Sequence, residues 1–298
     1  MSDHSDVIVL GAGAVGSYIG AQLSKHANVT LVGRRAHVED INEKGLRVLG
    51  RVEDCFKVKA VTRLETMPSR CLLIITTKAY DLVEAVESTY HLYHDDTTIL
   101  LMQNGLGNEE IVRKIIGPDV EIVRALASMG VEYLNSGNIG IKFTGETTLP
   151  DTNTGRRIAQ LFTSCGLGIH ISNRMNYEVW RKLVINCVIN PLTAIFRVTN
   201  DEIISDTLKE IREGIVDECI MVAEKEGVLL DSDLVEVITN AAAEYTNYSS
   251  MCQDVIKGKR TEIEFLNGKI SELGRKHGVA TPVNDTVSAM IRFLEEKS

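Results

Sequence analysis

Three polar side chains recur at four-residue intervals in an otherwise apolar stretch: Lys182, Asn186 and Asn190 within YEVWRKLVINCVINPL. On a helix, positions i, i+4 and i+8 share one face, so the three line up. Trp180, Leu183, Val184, Ile185, Val188 and Ile189 surround them, and polar groups buried among such neighbours need partners. Any one asparagine could be a core residue satisfied by backbone, but the aligned set points to a pocket. A lysine in that pocket suits general acid work: burial favours release of its proton, and a nearby carboxylate favours keeping it. Pro191 removes one backbone hydrogen bond and should kink the helix near Asn190.

A second stretch, NYSSMCQDVIKGKRTEIEFLNG, offers Asn247, Ser250 and Glu262. Amide and hydroxyl donors suit a substrate carboxylate, and Glu262 could accept from a substrate hydroxyl or pair with Lys182. Read locally, Ser249 is equally a helix N-cap and Thr261-Glu262 a helix start. Two further residues follow buried apolar runs: Lys78 after LLIITT, and Asn104 in Gln103-Asn104-Gly105 after TILLM. In an open α/β sheet, ligands bind beyond the carboxyl ends of strands, although a polar residue is also an ordinary way to end one.

The N-terminal VIVLGAGAVGSYIG carries Gly11, Gly13 and Gly16 as GxGxxG, with Ala14 and Val15 between. The first glycine permits a tight turn, the second admits a pyrophosphate to the backbone, and the third lets helix and strand pack closely. The helix N-terminus then offers N–H groups and a positive dipole end to phosphates. At the end of the next strand, LVGRR places Arg34 and Arg35 where an NAD enzyme usually has an acid. A guanidinium there can pair with a 2′-phosphate, which favours NADPH; the alternative is two solvated surface charges. Hydride addition to a ketone leaves an alkoxide that a cationic lysine can stabilise and protonate.

These residues need elements to hold them. Short apolar runs at Asp6–Leu10, Val29–Val32, Leu72–Thr77, Thr98–Met102, Glu121–Ala127 and Gly168–Ser172 read as strands. Helical patterns at Ala14–Ala27, Asp81–Tyr93 and Thr154–Cys165 lie between them, with a hairpin expected over Gly137–Leu149 and an excursion over Leu46–Val61. Alternation of this kind predicts an α/β, Rossmann-type doubly wound sheet, mainly parallel. From Met175 onward the spacing turns helical, with Leu208–Glu226, Leu234–Tyr245 and Glu262–His277 as amphipathic helices. The expected division is a cofactor-binding domain over residues 1–173 and an all-α substrate and catalytic domain over 174–298. No Pro/Gly/Ser linker separates them, so a cleft between closely packed domains is expected.

At 298 residues, two domains of ordinary size are expected, and 44% hydrophobic with 24% charged residues is a globular composition. A net charge of −9 disfavours nucleic acid and anionic membranes, so any anion site must be local. Six cysteines without a CxxC pair give no zinc spacing or disulfide framework, and read as buried thiols in a reducing cytosol. No metal site is expected. MSDHSDVIVL has no basic segment before its short apolar run, and no apolar run reaches membrane-span length, so a cytoplasmic protein is expected.

Taken together the motifs resemble the ketopantoate reductase (2-dehydropantoate 2-reductase) family. The resemblance spans the chain and rests on GAGAVGS, TTKAY, QNG, WRKLVINCVINPLTAIF and SSMCQDVIKGKRTEIEFLNG, the last two being far more specific than the glycine motif. It implies a Rossmann domain joined to a helical domain, and NADPH-dependent reduction of ketopantoate to (R)-pantoate in pantothenate and coenzyme A synthesis. It further implies Lys182 as general acid, with Glu262 holding the substrate or orienting that lysine. By the same resemblance Asn104, Asn186, Asn190, Asn247 and Ser250 position the substrate, Lys78 lies near the nicotinamide, and Arg34 binds the 2′-phosphate. Gly11, Gly13, Ala14, Val15, Gly16, Arg34, Lys78 and Asn104 form the expected cofactor set. Reduction of another branched 2-keto acid, or a non-catalytic NADPH sensor, are the alternatives, and a homodimer is left open.

Overall fold

The computed structural model describes residues 6–50, 53–244 and 246–297, which form two compact units. One takes the chain up to Gln103 together with Gly107–Met175; the other takes Asn104–Leu106 together with the chain from Asn176 on.

The first unit contains β1 (Asp6–Leu10), α1 (Ala14–Leu23), β2 (Asn28–Val32), α2 (Arg35–Lys44), β3 (Leu46–Leu49), β4 (Asp54–Phe56), β5 (Lys59–Val61) and β6 (Leu72–Ile75). It continues with α3 (Leu82–Glu87), β7 (Thr98–Leu101), α4 (Asn108–Ile116), β8 (Glu121–Arg124), β9 (Leu126–Asn135), β10 (Asn138–Pro150), α5 (Asn153–Ser164) and β11 (Ile169–Ser172). Six strands pair in parallel in the order β5-β2-β1-β6-β7-β8, the doubly wound order, whose direction reverses between β1 and β6. Every residue of β6 and β7 is buried, as unbroken apolar strands covered on both faces require. Side-chain alternation divides the core: Val7, Val9, Leu72, Ile74 and Leu100 pack on one face, and Ile8, Leu10, Leu73, Ile75 and Ile99 on the other.

A second sheet departs from the single-sheet expectation. It runs β11-β10-β3-β4, with β9 antiparallel to β10. The strand expected over Glu121–Ala127 is split: β8 ends the parallel sheet at Arg124, and after the single residue Ala125 β9 begins the other. The hairpin expected inside Gly137–Leu149 instead turns at Ser136-Gly137, where Gly137 has φ 72°, so all of Asn138–Pro150 is one strand. The excursion over Leu46–Val61 supplies β3 and β4 to the second sheet and β5 to the edge of the first; Arg51 and Val52 lie outside the described residues. The helix expected at Asp81–Tyr93 is the short α3 between two 3₁₀ turns, Ala79–Asp81 and Tyr90–Leu92. Five cysteines are buried as expected, whereas Cys55 on β4 is exposed.

The second unit is helical: α6 (Met175–Phe196), α7 (Lys209–Lys225), α8 (Leu234–Ala243), α9 (Ser250–Ile256), α10 (Asn267–His277) and α11 (Pro282–Glu296). Its core gathers Leu183, Val184, Cys187 and Val188 of α6 with Ile215, Cys219, Val222, Ile270 and Ile291. Among the described residues α6 is the one helix long and apolar enough to cross a membrane; 61% of its apolar window is buried inside the protein, as in a core helix. The helix expected from Glu262 begins only at Asn267, because Ile263–Phe265 form a 3₁₀ turn and Leu266 leaves helical geometry (φ −109°, ψ −107°). The expected end of α8 at Tyr245 lies outside the described residues.

Candidate active-site residues

The glycine loop follows β1 at the point where strand order reverses. Gly11 has φ 107°, and a Cβ there would sit 2.6 Å from the Thr77 nitrogen, so only glycine fits. The N–H groups of Gly11 and Ala12 both donate to the Val32 carbonyl, at 3.1 and 2.8 Å, fixing the turn against β2. At Gly16 a Cβ would meet the Gly11 oxygen at 2.3 Å and Thr76 Oγ1 at 2.4 Å, so α1 packs directly on the turn. Gly13 is different: a Cβ there would meet nothing within 4 Å among the described residues.

The backbone thus borders open space where the sequence calls for a pyrophosphate, beside the N-terminus of α1, which no side chain among the described residues caps. By helix geometry the N–H groups of Ala14, Val15 and Gly16 have no intrahelical acceptor. Thr77 Oγ1, at the adjoining end of β6, is buried without a hydrogen-bond partner among the described residues. The donors and space fit a dinucleotide phosphate.

Arg34 is exposed and stands at the N-cap of α2, two residues beyond β2, and Lys78 is half-buried at the N-cap of the turn after β6. His37 on α2 is buried, accepting at Nδ1 from the Gly137 N–H (2.9 Å), so its Nε2 carries the proton toward Ser17 Oγ (3.0 Å) on α1. Burial pushes the His37 pKa below its usual value.

Gln103, which sequence reading noted only as a neighbour of Asn104, is 4% exposed and acts as a clamp. Its Nε2 donates to the Ile75 carbonyl at 3.0 Å, tying the ends of β6 and β7, while its own carbonyl accepts from Arg124 Nη2 at 2.9 Å. The cue in the sequence was an arginine ending an apolar strand, EIVR.

In the second unit, α6 is continuous through Lys182, Asn186 and Asn190, as the four-residue spacing predicts. Lys182 and Asn186 are half-buried, and Asn190 is 7% exposed. Three other segments adjoin this helix or one another. Ser249 caps α9 by accepting from the Cys252 N–H (3.1 Å), and Thr193 Oγ1 lies 2.7 Å from Ser249 Oγ, seating the Asn247–Ser250 turn on the last turn of α6. The N-cap reading of Ser249 is therefore correct. The Asn247 carbonyl accepts from the Asn200 N–H at 3.0 Å, while its amide donates to the Tyr248 carbonyl at 3.0 Å.

Leu106 N–H donates to the Phe265 carbonyl at 3.2 Å, and a Cβ on Gly105 (φ 83°) would lie 2.2 Å from that same oxygen. The Gly105-Leu106 backbone, next to Asn104, is thereby held against Phe265. Glu262 itself is 8% exposed, and a polar side chain this buried calls for hydrogen-bond or charge partners. Ser250, by contrast, is exposed.

Asn200, absent from the sequence-derived set, is 9% exposed with a buried side-chain oxygen that has no partner among the described residues. Its polar character just past an apolar helix was the available signal.

Comparison with known proteins comes to the same place. A family model described as "Ketopantoate reductase PanE/ApbA" matches residues 7–154, and its companion "Ketopantoate reductase PanE/ApbA C terminal" matches residues 174–295. The 2-dehydropantoate 2-reductase of Pyrococcus horikoshii is 32% identical over 297 residues, covering 97% of each chain. Among solved structures, a PanE/ApbA family ketopantoate reductase from Ralstonia eutropha JMP134 is 28% identical with a TM-score of 0.90, covering 98% of this chain and 99% of that one. The ternary structure of D-mandelate dehydrogenase with NADH and anilino(oxo)acetate is 28% identical with a TM-score of 0.88, at the same coverage.

Proposed function

This chain belongs to the ketopantoate reductase family and is an oxidoreductase, and on that premise we propose that it uses NADPH to reduce 2-dehydropantoate to (R)-pantoate, a step of pantothenate synthesis. The observation that carries the reading is the face of α6 on which Lys182, Asn186 and Asn190 stand at helical spacing, two of them half-buried and one buried. Residues 1–173 take the cofactor and residues 174–298 the keto acid and its proton.

When bound, the cofactor would supply the hydride for the keto carbon. Gly11 and Gly16 shape the turn, Gly13 leaves room for the pyrophosphate, and the N–H groups of Ala14, Val15 and Gly16 meet its charge. Arg34 pairs with the 2′-phosphate, for which an exposed guanidinium at a helix N-cap is suited. Lys78 would lie near the nicotinamide, and Asn104 would help to hold the cofactor. Lys182 stabilises the oxygen charge developing on the substrate and donates the proton that makes the product hydroxyl. Glu262 holds the substrate hydroxyl or orients Lys182, and Asn104, Asn186, Asn190, Asn247 and Ser250 position the carboxylate and hydroxyl. The same reading sets the enzyme in the cytoplasm, with a small keto acid as its partner.

A second reading has one observation in its favour. The D-mandelate dehydrogenase structure matches at the same 28% identity as the ketopantoate reductase structure, and fold alone does not fix the side chain of a 2-keto acid. The test is NADPH oxidation followed by absorbance, with 2-dehydropantoate, 2-ketoisovalerate and an aryl 2-keto acid, and NADH in parallel. Turnover led by 2-dehydropantoate with NADPH supports the first reading. A higher kcat/KM for another keto acid moves the enzyme to that substrate, and NADPH binding without turnover of any overturns both.

A further inference from the structure

Proline inside α6 leaves a defect at a specific atom. Residue 191 has no N–H, so the carbonyl four residues earlier, that of Cys187, loses its helical donor. That carbonyl lies between Asn186 and Val188 in the buried core of the second unit, and Cys187 is fully buried. A buried carbonyl without a donor is costly. Here the donor comes from outside the helix: Asn267 Nδ2 sits 2.9 Å from the Cys187 oxygen, and Asn267 is itself fully buried.

The same nitrogen also donates to Asn284 Oδ1 at 2.9 Å, so both of its hydrogens are engaged. Asn284 passes the link on, its Nδ2 donating to Glu218 Oε2 at 2.7 Å. The Glu218 carboxylate accepts in addition from the N–H groups of Val283 and Asn284, at 2.8 and 2.9 Å, which caps the start of α11. A buried polar chain therefore runs from α6 through the first residue of α10 to α11 and α7. Asn267 lies five residues after Glu262 along the chain, and its contact on α6 falls between Asn186 and Asn190.

We propose that Asn267 is a positioning residue, which replaces the hydrogen bond deleted by Pro191 and so sets the relation of the Asn186–Asn190 turn to the Glu262 segment. The proposal rests on the reading of those residues as the substrate site. Pro191 frees one carbonyl of α6, and Asn267 uses it as the anchor point for the loop that brings Glu262. A carbonyl with an ordinary helical donor stays satisfied without a second one, whereas the Cys187 carbonyl has lost that donor and takes one from Asn267.

The experiment is a double-mutant cycle on the full chain with Asn267→Ala, Pro191→Ala and the pair, since alanine at 191 restores the missing N–H. Asn267→Ala is expected to raise KM for 2-dehydropantoate about tenfold or more, with NADPH affinity changed less than about twofold. In the Pro191→Ala background the same change should cost less than about threefold, because the Cys187 carbonyl then has its helical donor. A folded Asn267→Ala enzyme with wild-type KM overturns the proposal, and so does an equal loss in both backgrounds, which marks mere packing. If Asn267→Ala does not fold alone, the pair decides: folding rescued by Pro191→Ala supports the link, and failure in both backgrounds overturns it. If the wild-type enzyme does not turn over 2-dehydropantoate, the functional reading fails instead. The link is then read from melting temperatures, where non-additive shifts support it and additive shifts overturn it.

Discussion

The two glycines at the start of α1 predict opposite outcomes for the same substitution. At Gly13 an added methyl meets nothing within 4 Å, and the backbone (φ −83°, ψ −159°) is one that alanine adopts freely. The structural cost of Gly13→Ala is the poorer N-cap, up to about 1 kcal/mol, or a melting shift of about 2–4 °C. On the proposed reading its functional cost is larger, because the methyl projects where the pyrophosphate would reach the N–H groups of α1. Losing one such charge-assisted hydrogen bond is worth about 1.5–3 kcal/mol, or about ten- to a hundredfold in NADPH dissociation constant.

At Gly16 the order reverses. A Cβ 2.3 Å from the Gly11 carbonyl oxygen lies about 1 Å inside contact distance, so α1 must move off the turn, at about 1–3 kcal/mol of overpacking strain. The assay is a thermal melt and an NADPH fluorescence titration on each variant. Gly13→Ala should melt close to wild type and bind weakly, and Gly16→Ala should lose melting temperature first. A Gly13→Ala protein that binds NADPH as wild type does would refute the placement of the pyrophosphate at this loop.

Replacing Lys182 with alanine should lower kcat by orders of magnitude while NADPH titrates normally; unchanged turnover removes its role as proton donor. Arg34→Ala should weaken NADPH about ten- to a hundredfold and leave NADH nearly untouched, and equal losses for both would exclude contact with the 2′-phosphate. The folded His37 pKa lies below its unfolded value of about 6.5 because of burial. The unfolded chain therefore takes up the proton first as pH falls, so this stabilisation is complete above about pH 6.5 and is lost below it, down through the folded pKa. Melting temperature should drop more steeply between about pH 7 and 5 in the wild type than in His37→Gln, and parallel curves would show that His37 does not govern this acid sensitivity.

Helix α6 and the glycine loop were legible because each is a local pattern: a four-residue period in one case, a strand-turn-helix with fixed glycine offsets in the other. The parallel core was legible because β6 and β7 are continuous apolar runs. The second sheet was not, since its pairings are long-range: β3 meets β10 across some ninety residues, Arg47 opposite Asn138. Half-exposed strands with shifted register leave only a weak alternation to read. The helix start at Glu262 was misplaced because an amphipathic pattern does not register the break at Leu266. The donor from Asn267 to Cys187 joins residues eighty apart, so Pro191 on its own could suggest only a lost hydrogen bond.

The grouping of Asn104–Leu106 with the second unit bears on how chimaeras between members of the family must be built. The chain changes unit three times, after Gln103, after Leu106 and after Met175, so a single crossover near residue 174 does not separate them cleanly. A chimaera that takes its helical half from a relative inherits a foreign turn at residues 262–265 while keeping the native strap, whose Leu106 N–H is shaped to meet the Phe265 carbonyl. On the proposed reading, substrate preference should then travel faithfully only when the tripeptide is transplanted along with the helices, and recombination that ignores it should yield proteins whose first unit is sound and whose selectivity belongs to neither parent.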